Sequence, residues 1–332
     1  MVQEVAPRTV LRYRKARSTA GFLLLGALLN GCALLAPPQY NALREQRPPE
    51  LPARVELKNV PFFAQEDYQC GPAAIAMAMN AAGVKVTPEQ MVEQVYLPAR
   101  KGSLQIEMLV APRRHGLVAY ELAPQMTDLL REVAAGTPVI VLENYRYQWW
   151  PLWHYAIIIG YDLESGEVIR HSRTRERQAM PFPVFEYVWI DDGYWAMVVV
   201  PPDRVPVTAT EERYGQAVAA LEKGGDVNNA RTAYNAMLKR WPASFVGLMG
   251  LGNTAYAMKD LASAETAFRE AVQAHPDAPA AFNNLAHVLA VRGKFDEAVS
   301  AAERAVNLGG PLLPTAQATL EEIRKQTGTR TP

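Results

Sequence analysis

The chain has 332 residues, with 34 basic against 34 acidic and a hydrophobic content of 49%. That is enough for two modest domains of ordinary globular packing, and the balanced charge excludes nucleic acid as an electrostatic partner. With only two cysteines, Cys32 and Cys70, a disulfide framework is excluded as well.

The first stretch is a targeting segment. Arg8, Arg12, Arg14, Lys15 and Arg17 precede a short apolar run from Ala20 to Leu29. The run is shorter than the roughly 20 apolar residues a membrane-spanning helix needs. It ends in Leu29-Asn30-Gly31-Cys32, which resembles the bacterial lipobox, whose cysteine is acylated and becomes the first mature residue. An ordinary secretory signal that contains a cysteine is the plainer alternative. The resemblance to Gram-negative lipoproteins, with Ala33 after the cysteine, implies a signal peptide over 1–31 and a lipid on Cys32. It also implies a periplasm-facing protein held at the outer membrane. Pro37, Pro38, Pro48, Pro49 and Pro52 predict an extended, proline-rich linker over 32–54.

A first folded domain is expected over 55–202. Its centre is Gln65-Glu66-Asp67-Tyr68-Gln69-Cys70-Gly71-Pro72, followed by an alanine- and methionine-rich run to Asn80 and then Gly83. Proline suits a first helical turn and glycine a C-terminus, so Cys70 reads as the mouth of a deeply buried helix. A thiol there meets the positive end of the helix dipole and unpaired backbone N–H groups, which predicts partial thiolate character near neutral pH. A buried structural cysteine is the competing reading. With Cys32 acylated, Cys70 is a lone thiol facing an oxidising compartment, which calls for either reactivity or burial.

Further helices are predicted from Thr87, whose Thr-Pro-Glu-Gln forms a capping box, from Ser103 to Arg114, and from Met126 to Ala135. Strands are predicted at 139–142, 155–159, 167–170 and 195–200. Helices followed by an antiparallel sheet make this domain α+β. Trp153-His154-Tyr155-Ala156-Ile157-Ile158-Ile159-Gly160-Tyr161-Asp162 sets a histidine where a buried strand begins. Of the five histidines, His154 and His171 remain as base candidates, because His115 ends a helix and His275 and His287 lie in the repeats.

Three motifs now line up: Val-Pro-Phe-Phe-Ala-Gln before the cysteine, Gln-Cys-Gly-Pro-Ala-Ala around it, and His-Tyr-Ala-Ile-Ile-Ile-Gly-Tyr-Asp at the histidine. Residues 60–202 thereby resemble the papain-like cysteine peptidases related to the bacteriocin-leader (double-glycine) peptidases. The resemblance implies Cys70 as nucleophile, His154 as base and Gln65 as oxyanion donor, with Gln69 the weaker candidate for that last role. In that family an aspartate or asparagine on the following strand orients the imidazole. Here that strand reads Val168-Ile169-Arg170-His171-Ser172-Arg173, which leaves Asp162, with Ser172 or a backbone carbonyl as the alternative orienter.

After a junction at 203–208, an array is expected over 209–328. Ala230, Tyr234, Met237 and Pro242 recur 34 residues later as Ala264, Phe268, Ala271 and Pro276, then as Ala298, Ala302, Ala305 and Gly310. This is the tetratricopeptide signature, an all-α solenoid that presents a concave face to a peptide or protein, with a capping helix over 313–326. No cofactor or metal site is read from the sequence. The expected function is an outer-membrane-anchored cysteine peptidase acting on an exported peptide or protein recruited by the repeats. The alternative is an inactive peptidase-like scaffold in an envelope assembly.

Overall fold

The computed structural model describes residues 37–64 and 69–328. Cys32, Gln65 and the expected signal peptide lie outside the described residues. The chain opens with helix α1 (Pro38–Glu45) and strand β1 (Arg54–Glu56), followed by helices α2 (Cys70–Ala81), α3 (Pro88–Val95) and α4 (Gln105–Arg113). Next come β2 (Val118–Glu121), α5 (Met126–Ala134), β3 (Val139–Asn144), β4 (Trp153–Asp162), β5 (Glu167–Ser172) and β6 (Arg175–Pro181). Helix α6 (Phe182–Trp189) and strand β7 (Ala196–Val200) complete the sheet domain. All pairings in the sheet are antiparallel, in the order β2-β7-β3-β4-β5-β6, and β1 pairs with the far half of β4.

The alternation along each strand separates two cores. Ile140, Leu142, Tyr155, Ile157, Ile159, Met197 and Val199 face α2, α3 and α4. Val139, Val141, Ala156, Ile158, Val198 and Val200 face α5, α6 and the start of the repeats. Helix α2 is buried from Gly71 to Met79, which explains its composition. Small residues allow close approach on every side, and at Gly71 a Cβ would lie 2.2 Å from Ser103 Oγ. The cost of a glycine in a helix is thus offset by the contact it permits.

Residues 38–45 correct the expected extended linker. Pro38 fits the first turn of α1, and the Gln39 and Tyr40 N–H groups, both at the open N-terminus of that helix, donate to the Glu186 carboxylate at 2.8 and 2.6 Å. Tyr40 stacks on Phe182 with ring centroids 6.1 Å apart. Pro37 and Pro38 therefore mark a helix entry and not a spacer.

Six helices form the array: α7 (Glu211–Lys223), α8 (Val227–Arg240), α9 (Phe245–Ala257), α10 (Leu261–Ala274), α11 (Pro279–Val291) and α12 (Phe295–Leu308), followed by α13 (Leu313–Gly328). Ala230, Ala264 and Ala298 are each fully buried where paired helices touch. Tyr234 fills the same register as Phe268, and a Cβ at Gly250 would meet its ring at 2.2 Å. The first repeat is joined to the sheet domain by a continuous core in which Tyr214, Val218 and Leu221 pack with Val118 and Tyr120. Thr208 donates twice to buried Glu132, at 2.8 and 2.6 Å, so the junction is pinned to the domain before it. Among the described residues no helix is long and apolar enough to cross a membrane.

Candidate active site

Cys70 is the first residue of α2, half-buried, with Gln69 at the N-cap. Its thiol is approached by three backbone N–H groups, those of Tyr155, Gly71 and Cys70 itself, each of which favours the thiolate. Burial outweighs them and pushes the thiol pKa up. This direction runs against the expected partial thiolate near neutral pH. The helix mouth supplies donors, but desolvation of the half-buried thiol outweighs them.

The Tyr155 contact ties the thiol to the start of β4. The β4–β5 ladder begins only at Ile157 with His171, so, among the described residues, 153–156 have no strand partner on that edge. His154 is the neighbour of Tyr155 and points, by strand alternation, to the face of Ala156 and Ile158. It is buried, and its Nε2 lies 3.0 Å from Ser172 Oγ at the end of β5. No hydrogen bond joins Cys70 Sγ to His154 among the described residues. Burial first, and then the positive charges of Arg173 and Arg170, push the His154 pKa down to about 3. Both shifts favour the uncharged forms, a thiol at Cys70 and a neutral imidazole at His154.

Asp162 does not meet the expectation of an orienter. It stands eight residues along the same strand, about 26 Å away at a strand's rise. There it caps the following turn, its Oδ1 accepting from the Glu164 and Ser165 N–H groups at 2.9 and 3.0 Å. Ser172, the alternative, is the residue in contact with the imidazole. His171 alternates to the opposite face, with Nε2 3.4 Å from Val60 O and its ring 5.3 Å from Phe62.

Beneath His154 lies a charged cluster that sequence reading passed over. Glu143 is the cross-strand partner of His154 and is ion-paired to Arg170, with both side chains buried. Tyr145 OH donates to the second Glu143 oxygen at 2.8 Å, and its ring lies 5.7 Å from the His154 ring. Arg170 and Arg173 stand 5.8 and 4.9 Å from the Tyr145 ring centroid. Burial opposes the charge on Arg170, but Glu143 and Tyr145 together more than offset this and hold its pKa up, while at Glu143 burial outweighs Arg170 and Tyr145 and pushes the carboxyl pKa up. The sequence signal was available: a glutamate and an arginine, each within an apolar strand run, need one another if both strands are core.

The chain matches the Peptidase_C39 like family over residues 57–197 and the tetratricopeptide repeat over 213–244 and 249–314. It therefore carries a C39-like peptidase domain followed by tetratricopeptide repeats. No curated protein sequence matches the chain. Among solved structures it is similar to a candidate C39-like peptidase from Bacillus anthracis, at 19% identity and a TM-score of 0.38, covering 44% of this chain and 97% of that one. The repeats are similar to the type III secretion translocator chaperone SycD of Yersinia enterocolitica, at 20% identity and a TM-score of 0.34, covering 35% and 85%. They are also similar to the TPR2B domain of yeast Sti1 in an Hsp70 complex, at 16% identity and a TM-score of 0.34, covering 35% and 97%. These are likenesses only, and the family matches carry the assignment.

Proposed function

We propose that the chain is a cysteine peptidase anchored at the outer membrane through Cys32, acting on an exported peptide or protein recruited by its repeats. The observation that carries this reading is the junction of the Cys70 helix mouth with the His154 end of β4, linked through the Tyr155 N–H and backed by Ser172. In the proposed reaction His154 holds its ring proton on Nε2, donating to Ser172 Oγ, so that the Nδ1 lone pair accepts the Cys70 proton as sulfur attacks the scissile carbonyl. The Cys70 N–H and Gln65 bind the oxyanion. The imidazolium returns its proton to the leaving amine, and water then hydrolyses the thioester. The concave face of the repeats would hold the substrate or a protein partner.

One observation favours the scaffold reading instead. A hydroxyl orients the histidine where a carboxylate or amide would stabilise an imidazolium, and burial together with two arginines disfavours that charge. The pH dependence of Cys70 alkylation separates the two electrostatic regimes. With the thiol pushed up and the imidazole neutral above about pH 3, no thiolate–imidazolium plateau forms at neutral pH. Iodoacetamide labelling of the Cys70 peptide is expected to rise about tenfold per pH unit from pH 6 to 9, following the thiolate fraction. A rate that levels near pH 7 would mean a preformed ion pair and would refute the neutral-pair description.

A further inference from the structure

The loop between β3 and β4 exposes Tyr147, Trp149 and Trp150 at 68, 77 and 63%, and Tyr187 on α6 beside it is exposed at 72%. Soluble surfaces seldom show so much adjacent aromatic area without a partner. The rings are held out by a built loop. Asn144 Oδ1 accepts the Arg146 and Leu152 N–H groups at 3.0 and 2.9 Å, and Trp150 N–H donates to Tyr147 O at 2.9 Å. Tyr147 stacks on Trp149 with centroids 5.4 Å apart, and Trp150 meets Trp149 edge-on at 6.4 Å. The neighbouring carboxylates are already engaged: Asp191 accepts from Asn144 and Gln148, and Glu186 from the Gln39 and Tyr40 N–H groups. Arg146 is the basic side chain lining the same cleft of about 510 Å³.

The position of the patch identifies its occupant. Pro37 and Pro38 line this cleft with Tyr147, Trp149 and Tyr187, so the chain enters the fold at the patch. Cys32 precedes Pro37 by five residues, and five residues span at most about 18 Å. Since α1 is docked and not a tether, an acyl chain on Cys32 would hold this face against the bilayer. Tryptophan and tyrosine are the residues that favour the headgroup level, where their rings are half apolar and half wet.

We propose that Tyr147, Trp149, Trp150 and Tyr187 form a membrane-docking surface that lies in the interface of the anchoring bilayer. The proposal rests on the reading of Cys32 as lipidated, and the test separates the two. The full chain is purified from membranes and reconstituted in phosphatidylethanolamine–phosphatidylglycerol vesicles containing acyl-brominated lipid. Tryptophan emission is compared with that of a Trp149→Ser/Trp150→Ser chain, and the mass of the N-terminal peptide reports acylation. The expected result is bromine quenching of the native emission, at least half of which is lost in the double variant while the acyl mass is unchanged. Equal quenching in the two chains, or none, with Cys32 acylated would overturn the docking surface and leave the anchor standing. Quenching lost in the variant but with no acyl group on Cys32 would uphold the surface and remove the anchor. A surface that serves a peptide or protein partner instead would show no bromine quenching, and that result overturns the proposal.

Discussion

Replacing Cys70 with serine is expected to abolish peptide turnover while leaving the fold intact. The half-buried Sγ would be exchanged for a slightly smaller atom at a helix mouth that keeps its N–H donors. A serine hydroxyl is a far weaker acid than a thiol, and the His154 imidazole is already disfavoured as a cation by burial and then by Arg173 and Arg170. His154→Ala should leave a residual reaction slower by about 10² to 10⁴, the usual contribution of a general base. Gln65→Ala should lose about 10² to 10³, the usual effect of removing one oxyanion donor. Ser172→Ala and Asp162→Ala divide the orienting roles. The first should lower kcat with KM unchanged, and the second should leave both unchanged, since Asp162 is occupied in its turn. Steady-state rates on a cleaved peptide, with circular dichroism as a fold control, read all of these. An Asp162→Ala chain as slow as His154→Ala would contradict the geometry.

Glu143→Ala is expected to be among the most destabilising single substitutions in the sheet domain. It removes the carboxylate from a buried ion pair and leaves the Arg170 guanidinium, 1% exposed, without its charge partner. Breaking a buried pair in this way costs about 3–5 kcal/mol, a large share of the stability of most domains. The double replacement Glu143→Leu with Arg170→Met removes both charges and should recover most of that loss, because desolvation of the pair is removed with it. Urea unfolding midpoints of the three chains measure this. A double variant no more stable than Glu143→Ala would show that packing, and not charge, is what the pair contributes. The single variant should also slow turnover of the folded fraction, because Tyr145, which packs on His154, loses the Glu143 oxygen that accepts its hydroxyl.

The parts of the molecule legible in the sequence are those governed by local rules. The capping box at Thr87, the proline and small residues after Cys70, and the apolar run after His154 each follow from one stretch of chain. The repeat register is legible for the same reason, since Ala230, Ala264 and Ala298 answer to contacts within one repeating unit. What was missed depends on contacts across many residues. Helix α1 is short and proline-led, and it is held by Glu186, 147 and 146 positions from Gln39 and Tyr40. The choice of Ser172 over Asp162 turns on which end of β4 each faces, and strand pairing alone decides that. The thiol pKa was read from the helix dipole, but burial set by the surrounding core controls its sign. The Glu143–Arg170 pair was invisible to a reading of each strand by itself, because neither charge makes sense without the other.

The proposed joint action of Cys70 and His154 on an acyl group can be read by incubating the full chain with a peptide p-nitrophenyl ester at neutral pH. Release of p-nitrophenol and the mass of the Cys70 peptide are then followed together. A burst of p-nitrophenol with an acyl adduct on Cys70 is predicted, slowed at least 10²-fold in His154→Ala, the lower end of a general base's contribution, and absent in Cys70→Ser. A native chain that releases p-nitrophenol no faster than Cys70→Ser, with no adduct on Cys70, would contradict the claim and leave the peptidase-like scaffold as the function.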